Sequence, residues 1–189
     1  MKKSTDKDGY MKRGKFLLLI LLMAGLLIPS VFAVDFSDVT GLWKTIDDET
    51  GVAKAVIAIY EYQGKIFGRV LCSFDDTGTF IDDDMYQQIK TSPFLVGEPA
   101  FNGMDIIWDL EKKGKKFAKG KIMDPGDSEV KPRIYDSEIW REGNKLIVRG
   151  KILFIGRNQE WYPFDPKDFP AGFVIPDYEN FVPEIPEVK

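Results

Sequence analysis

Between Gly41 and Phe164, apolar and polar residues exchange at every second position in short runs, and this period of two constrains the fold more than any other feature. In Lys65 to Phe74, the residues Ile66, Gly68, Val70, Cys72 and Phe74 share one face, read as interior. Lys65, Arg69 and Ser73 lie on the other with Phe67 and Leu71. Met104, Ile106, Trp108 and Leu110 oppose Asp105 and Asp109 in the same way, and Leu146, Val148, Gly150, Ile152 and Phe154 oppose Lys145, Arg149 and Lys151. Turn-forming stretches separate the runs: Asp47 to Gly51, Gln63-Gly64, Lys112 to Lys115, Asp124-Pro125-Gly126-Asp127 and Glu142-Gly143-Asn144. The rhythm predicts eight strands, near Gly41–Ile46, Lys54–Tyr62, Lys65–Phe74, Met104–Leu110, Phe117–Met123, Lys131–Arg141, Lys145–Phe154 and Gln159–Phe164. Tight turns between consecutive strands predict an all-β fold, an antiparallel up-and-down β-barrel whose closure leaves no exposed edge.

Two segments interrupt the rhythm. Asp75 to Ala100 is a long connection with a helical turn expected at Met85 to Ile89, and Pro93 and Pro99 limit regular structure beyond it. After Asp165 comes a proline-rich C-terminal tail, residues 165–189, in which Pro166, Pro170, Pro176, Pro183 and Pro186 are interspersed with Phe169, Phe173, Tyr178 and Phe181. It is too apolar for a linker and too rich in proline for a helix, so it either wraps the barrel wall or presents an extended ligand to a partner. Wrapping is favoured, because each large apolar side chain left in water forgoes about 1.5–3 kcal/mol.

The chain opens with the pattern of an export leader: Lys12, Arg13 and Lys15, an apolar core from Phe16 to Ile28, and the exit Val31-Phe32-Ala33. The core is shorter than the roughly 20 residues of a bilayer span, with Gly25 inside it and Pro29 after it, so it reads as cleavable rather than as an anchor. Met11 is as good a start as Met1. Residues 1–33 are thus expected to be a signal peptide, 34–164 the barrel and 165–189 the tail, with the mature protein exported to the periplasm, the envelope or beyond. Residues 34–189 carry 20 basic and 28 acidic side chains, a net charge of −8. No basic stripe is available to displace counterions from phosphates, which argues against nucleic acid. Cys72 is the one cysteine and histidine is absent, so neither a disulfide nor a Ser-His-Asp, Cys-His or His/Cys zinc site can be assembled. No cofactor motif follows any strand, and Cys72 reads as a buried, unreactive thiol.

Gly41-Leu42-Trp43, Phe67-Gly68-Arg69-Val70, Gly120-Lys121-Ile122-Met123-Asp124-Pro125, Leu146-Ile147-Val148-Arg149-Gly150 and Phe154 to Trp161 occur in one order across most of the chain. That order resembles the bacterial domain of unknown function 2147 family, whose members are exported proteins. The resemblance implies a lipocalin-like β-barrel and supplies no reaction. Departures lie in Asp75 to Met85, in Ser128 to Pro132 after the Asp-Pro turn, in Tyr162-Pro163 after the last Trp and in the long tail. The Gly-x-Trp opening also resembles the lipocalin signature, in which the Trp closes one barrel end under a late Arg. This makes Trp43 and Arg157 the expected closing pair, with a cation over the indole contributing about 0.5–2 kcal/mol.

The acidic run Asp75, Asp76, Asp82, Asp83 and Asp84 offers oxygens to Ca²⁺ but lacks EF-hand spacing, so it reads as solvated charge and no metal site is expected. Asp136 and Glu138 share a strand face, a spacing that chance supplies readily in an acidic chain. With no nucleophile and base in view, the chain is expected not to be an enzyme. Two readings remain. In one, a cavity lined by Val70, Cys72, Met104, Trp108 and Val148 holds a small apolar or amphipathic ligand. In the other, side chains fill the barrel, and an envelope interaction module works through its outer face, the 75–100 loop or the tail.

Overall fold

Alternation and turn chemistry together produce nine strands: β1 (Gly41–Ile46), β2 (Ala53–Tyr62), β3 (Lys65–Phe74), β4 (Ile81–Asp84), β5 (Asp105–Lys113), β6 (Lys116–Asp124), β7 (Arg133–Glu142), β8 (Lys145–Ile152) and β9 (Ile155–Pro163). The computed structural model describes residues 35–36, 38–153 and 155–189, and the expected leader, residues 1–33, lies outside them. Residues 34–189 are a compact unit of their own. Neighbouring strands pair antiparallel from β1 to β3, from β3 to β5 and on to β9, which returns to β1 through Trp43↔Pro163 and Lys44↔Tyr162. Eight strands thus close an up-and-down barrel, as the alternation predicts. β4 is the addition: it pairs with the end of β3, Cys72↔Asp84 and Ser73↔Asp83, beyond the point where β5 has left that edge. The last strand begins at Ile155, four residues before the expected Gln159. The helical turn expected at Met85 to Ile89 is a single turn, with Gln88 N–H donating to Asp84 O at 3.0 Å.

One end of the barrel is solid. Phe36 stacks on Phe117 at 5.6 Å between centroids, and its carbonyl accepts from Val39 and Thr40 N–H. Ile59, Ile66, Leu110, Phe117, Ile139, Leu146 and Trp161 fill the space above and are fully buried. Gly68 makes this packing possible, since a Cβ there would stand 2.8 Å from the Ile59 side chain and 3.1 Å from Ile107 Cβ.

The outer wall over β1–β3 is as apolar as the interior, because the tail covers it. Leu42, Val56, Ala58, Leu71 and Cys72 form a second buried cluster with Phe164 and Phe169, against which Phe173, Tyr178 and Phe181 pack. Beneath the tail, the Arg69 guanidinium donates to Asp105 Oδ2 at 2.9 Å and to Val182 O at 2.6 Å, while Tyr60 Oη donates to Asp105 Oδ1 at 2.8 Å. Burial, then the Asp105 charge, pushes the Tyr60 phenol well above its ordinary value. The chain end joins the long loop through the bridge Leu95↔Val188 and through Lys189 Nζ to Glu98 at 2.8 Å. Among the described residues, no helix is long and apolar enough to cross a membrane.

Candidate functional site

Opposite the solid end, the interior opens into a cavity of about 590 Å³. Its wall is built from inward positions: Ile57 on β2, Val70 on β3, Ile106 on β5, Ile122 on β6, Val148 on β8 and Trp161 on β9. The volume is within the few hundred to about 1,000 Å³ typical of small-molecule sites. Gly150 on β8 widens the upper part by leaving a side chain out: a Cβ there would meet Tyr135 and Ile122 at ordinary contact distances of 3.6 and 3.7 Å.

Polar groups gather at the mouth. Lys54, Lys90 and Arg157 stand there with Asp47, Asp124 and Asp127, so the two signs balance. The carboxylates are drawn into their own loops. Asp47 accepts from Thr50 N–H and Oγ1, and Asp127 from Glu129 and Val130 N–H; these backbone and hydroxyl donors hold both below the usual carboxylate range. Arg157 Nε donates to Asp48 at 2.9 Å, and Lys90 to Asp82 at 2.9 Å. Deeper in, Gln159 accepts from Trp161 Nε1 at 3.3 Å, and Tyr135 lines the wall, its hydroxyl without a hydrogen-bond partner among the described residues. An apolar floor under a ring of mixed charge suits an apolar body with a polar end.

At the solid end, Trp43 is buried with its indole N–H donating to Val39 O at 2.8 Å, and the Arg141 guanidinium lies 4.7 Å above its ring. A tryptophan thus seals one end of the eight-stranded barrel under an arginine, and a cavity opens at the other. The family model described as uncharacterized protein conserved in bacteria (DUF2147) matches residues 41–162. The chain belongs to this family. No curated protein matches it. Among solved structures, protein HP1028 from Helicobacter pylori, described as belonging to the lipocalin family, aligns with a TM-score of 0.50 at 14% identity, covering 68% of this chain and 84% of that one. At that identity the likeness shows the fold, which is lipocalin-like.

Within this DUF2147 barrel, Val70 and Val148 line the cavity, and the other three expected lining residues do not. Cys72 is opposite Val56 on the outer wall, because a register shift between Val56 and Ile57 makes Leu71 an extra residue and turns Cys72 outward. Burial there pushes its thiol up to about 12. Trp108 is opposite Lys121, whose ammonium bonds the exposed Asp136, so it too faces outward. The cause is the shift between Gly68↔Ile107 and Arg69↔Asp105, which sends two consecutive residues, Ile106 and Ile107, inward. Met104 is buried in the main core beside the cavity, its carbonyl accepting from Val70 N–H at 3.1 Å. The closing pair is corrected as well: Arg157 is at the open mouth, and Arg141 covers Trp43.

The acidic candidates have other occupations. Asp83 accepts from Asp84, Ile89 and Lys90 N–H, and Asp84 from Tyr86 and Gln87 N–H, so the run shapes the loop that brings Lys90 and Phe101 to the mouth. Asp136 pairs with Lys121 at 2.6 Å, and Glu138 with Lys151 and, at 3.6 Å, Lys116. Sequence reasoning missed Trp161, Tyr135 and Gln159 as lining residues. The alternation Arg157, Gln159, Trp161 on the last strand was a signal that could have placed Gln159 and Trp161.

Proposed function

We propose that this protein is an exported binding protein that holds one small apolar or amphipathic molecule in the open half of its barrel, and that it is not an enzyme. The observation that carries this reading is the cavity of about 590 Å³ with an apolar floor and a charged mouth. A side-chain-filled interaction module needs a solid interior, and only the lower half of the barrel is packed in that way. Export rests on the basic, apolar and small-residue order of residues 12–33, and a binding rather than catalytic role on a sequence without histidine whose single thiol is walled off.

Trp161 makes the reading testable, because it is the tryptophan that lines the cavity, whereas Trp108 faces outward. Titrating a long-chain fatty acid into delipidated residues 34–189 is expected to change tryptophan emission, a response that survives Trp108→Phe and is lost in Trp161→Phe. Unchanged emission and melting temperature with saturating fatty acids and retinoids alike would remove the support for the cavity reading.

A further inference from the structure

The β8–β9 hairpin ends in a turn of unusual composition. Turn tips in water favour Gly, Asn, Asp and Ser, yet here the sequence runs Ile152-Leu153-Phe154-Ile155. Ile152 and Ile155 are a cross-strand pair and are 60% and 73% exposed, while Leu153 is 83% exposed. Leu153 also has φ 57°, a left-handed conformation that strains a bulky side chain and that Asn or Gly would adopt readily. Ile134 extends the patch from β7, two residues beyond Asp136, the partner of Lys151. A run of exposed apolar residues at a strained turn is unfavourable for a protein surface unless something covers it.

Charge indicates what the covering surface is. In a chain of net charge −4, the stretch between Lys145 and Glu160 that forms the tip and the strands below it holds Arg149, Lys151 and Arg157 and no carboxylate. Lys151 leans on Glu138 of the neighbouring β7 and Arg157 on Asp48 of the β1–β2 turn, while Arg133, at the start of β7 next to Ile134, has no ion pair among the described residues. The nearby Asp124 and Asp127 are turned to N–H groups of their own loop. An apolar wedge flanked by cations matches an anionic bilayer surface, where apolar burial and attraction to headgroup phosphates act together.

We propose that the β8–β9 tip docks the barrel on an anionic lipid surface. Gly150 and Arg157, a cross-strand pair lining the cavity, are two residues below the tip on each strand, so docking sets the cavity mouth beside the bilayer. The inference is independent of what the cavity holds.

The test is flotation of residues 34–189 with vesicles of phosphatidylglycerol and phosphatidylcholine, and with vesicles of phosphatidylcholine alone. Binding is expected to the anionic vesicles, to weaken as salt rises, and to fall about tenfold in Leu153→Asn. That variant is expected to melt no lower than the parent, because Asn suits the turn conformation. Absence of vesicle binding, equal binding to the neutral vesicles, or undiminished binding by Leu153→Asn would each overturn the proposal. A concentration-dependent dimer abolished by Leu153→Asn, without vesicle binding, would reassign the tip to a second copy of the chain.

Discussion

Cys72 and Trp108 show how much hangs on single extra residues. Each lies in a run whose alternation is clear in the sequence, and each faces the opposite way from that alternation, because a strand irregularity inserts one residue upstream of it. The sequence does not mark either position: Leu71-Cys72 and Ile106-Ile107 are apolar pairs, so an inserted residue leaves the pattern of polarity intact. Trp43 was legible as the closing tryptophan, but its cover was not, since Arg141 and Arg157 are both strand arginines and only the register reveals which one reaches the solid end. Under the tail, with its thiol raised from 9.0 to about 12 by burial, Cys72 is expected to react with a thiol reagent at least about a hundredfold more slowly in the native protein than in denaturant. Stopped-flow labelling checks this, and comparable rates would place the thiol in solvent.

At the scale of elements, the eight barrel strands were readable because turn residues bracket each alternating run. β4 was not, because its sequence Ile81-Asp82-Asp83-Asp84 has little strand propensity and is held by loop N–H groups donating to the Asp83 and Asp84 carboxylates. The tail has only two single-turn 3-10 helices of its own, Pro166–Asp168 and Tyr178–Asn180, and is fastened over a buried ion pair between β3 and β5, whose Arg69 donates to Val182 O and whose Asp105 accepts from Glu184 N–H. Arg69 and Asp105 are almost wholly buried, so removing either partner strands a charge, whereas Glu184, which also reaches Arg69 at 3.3 Å, is largely in solvent. Asp105→Ala is therefore expected to lower unfolding free energy by about 3–5 kcal/mol. For Glu184→Ala the expected loss is less than about 1 kcal/mol. Urea unfolding of both variants checks the contrast, and equal losses would show that the exposed partner carries the clamp.

For the whole molecule, the titration pattern predicts a broad stability plateau. No histidine titrates near neutrality. The Asp47, Asp75 and Asp127 carboxylates are held below their ordinary 3.8 by loop hydrogen bonds, so their contribution is present above that value and lost as pH falls through the lowered ones. Cys72 is raised from 9.0 to about 12, so its contribution is whole below 9.0 and declines as pH rises towards the folded value. Melting temperature is expected to be flat from about pH 5 to about pH 8 and to fall on both sides, with a shallower alkaline limb in Cys72→Ala. A maximum confined to one side of neutrality would contradict this.

The central claim, that the open half of the barrel is a container, is tested most directly by filling it. Gly150 has an ordinary φ and room for a Cβ, so Gly150→Phe places a ring in the cavity without backbone strain. Isothermal titration of a long-chain fatty acid against delipidated parent and variant is expected to give one site in the parent and at least about tenfold weaker binding in Gly150→Phe, at an undiminished melting temperature. Equal affinity in the two proteins, or no binding by the parent, would contradict the account.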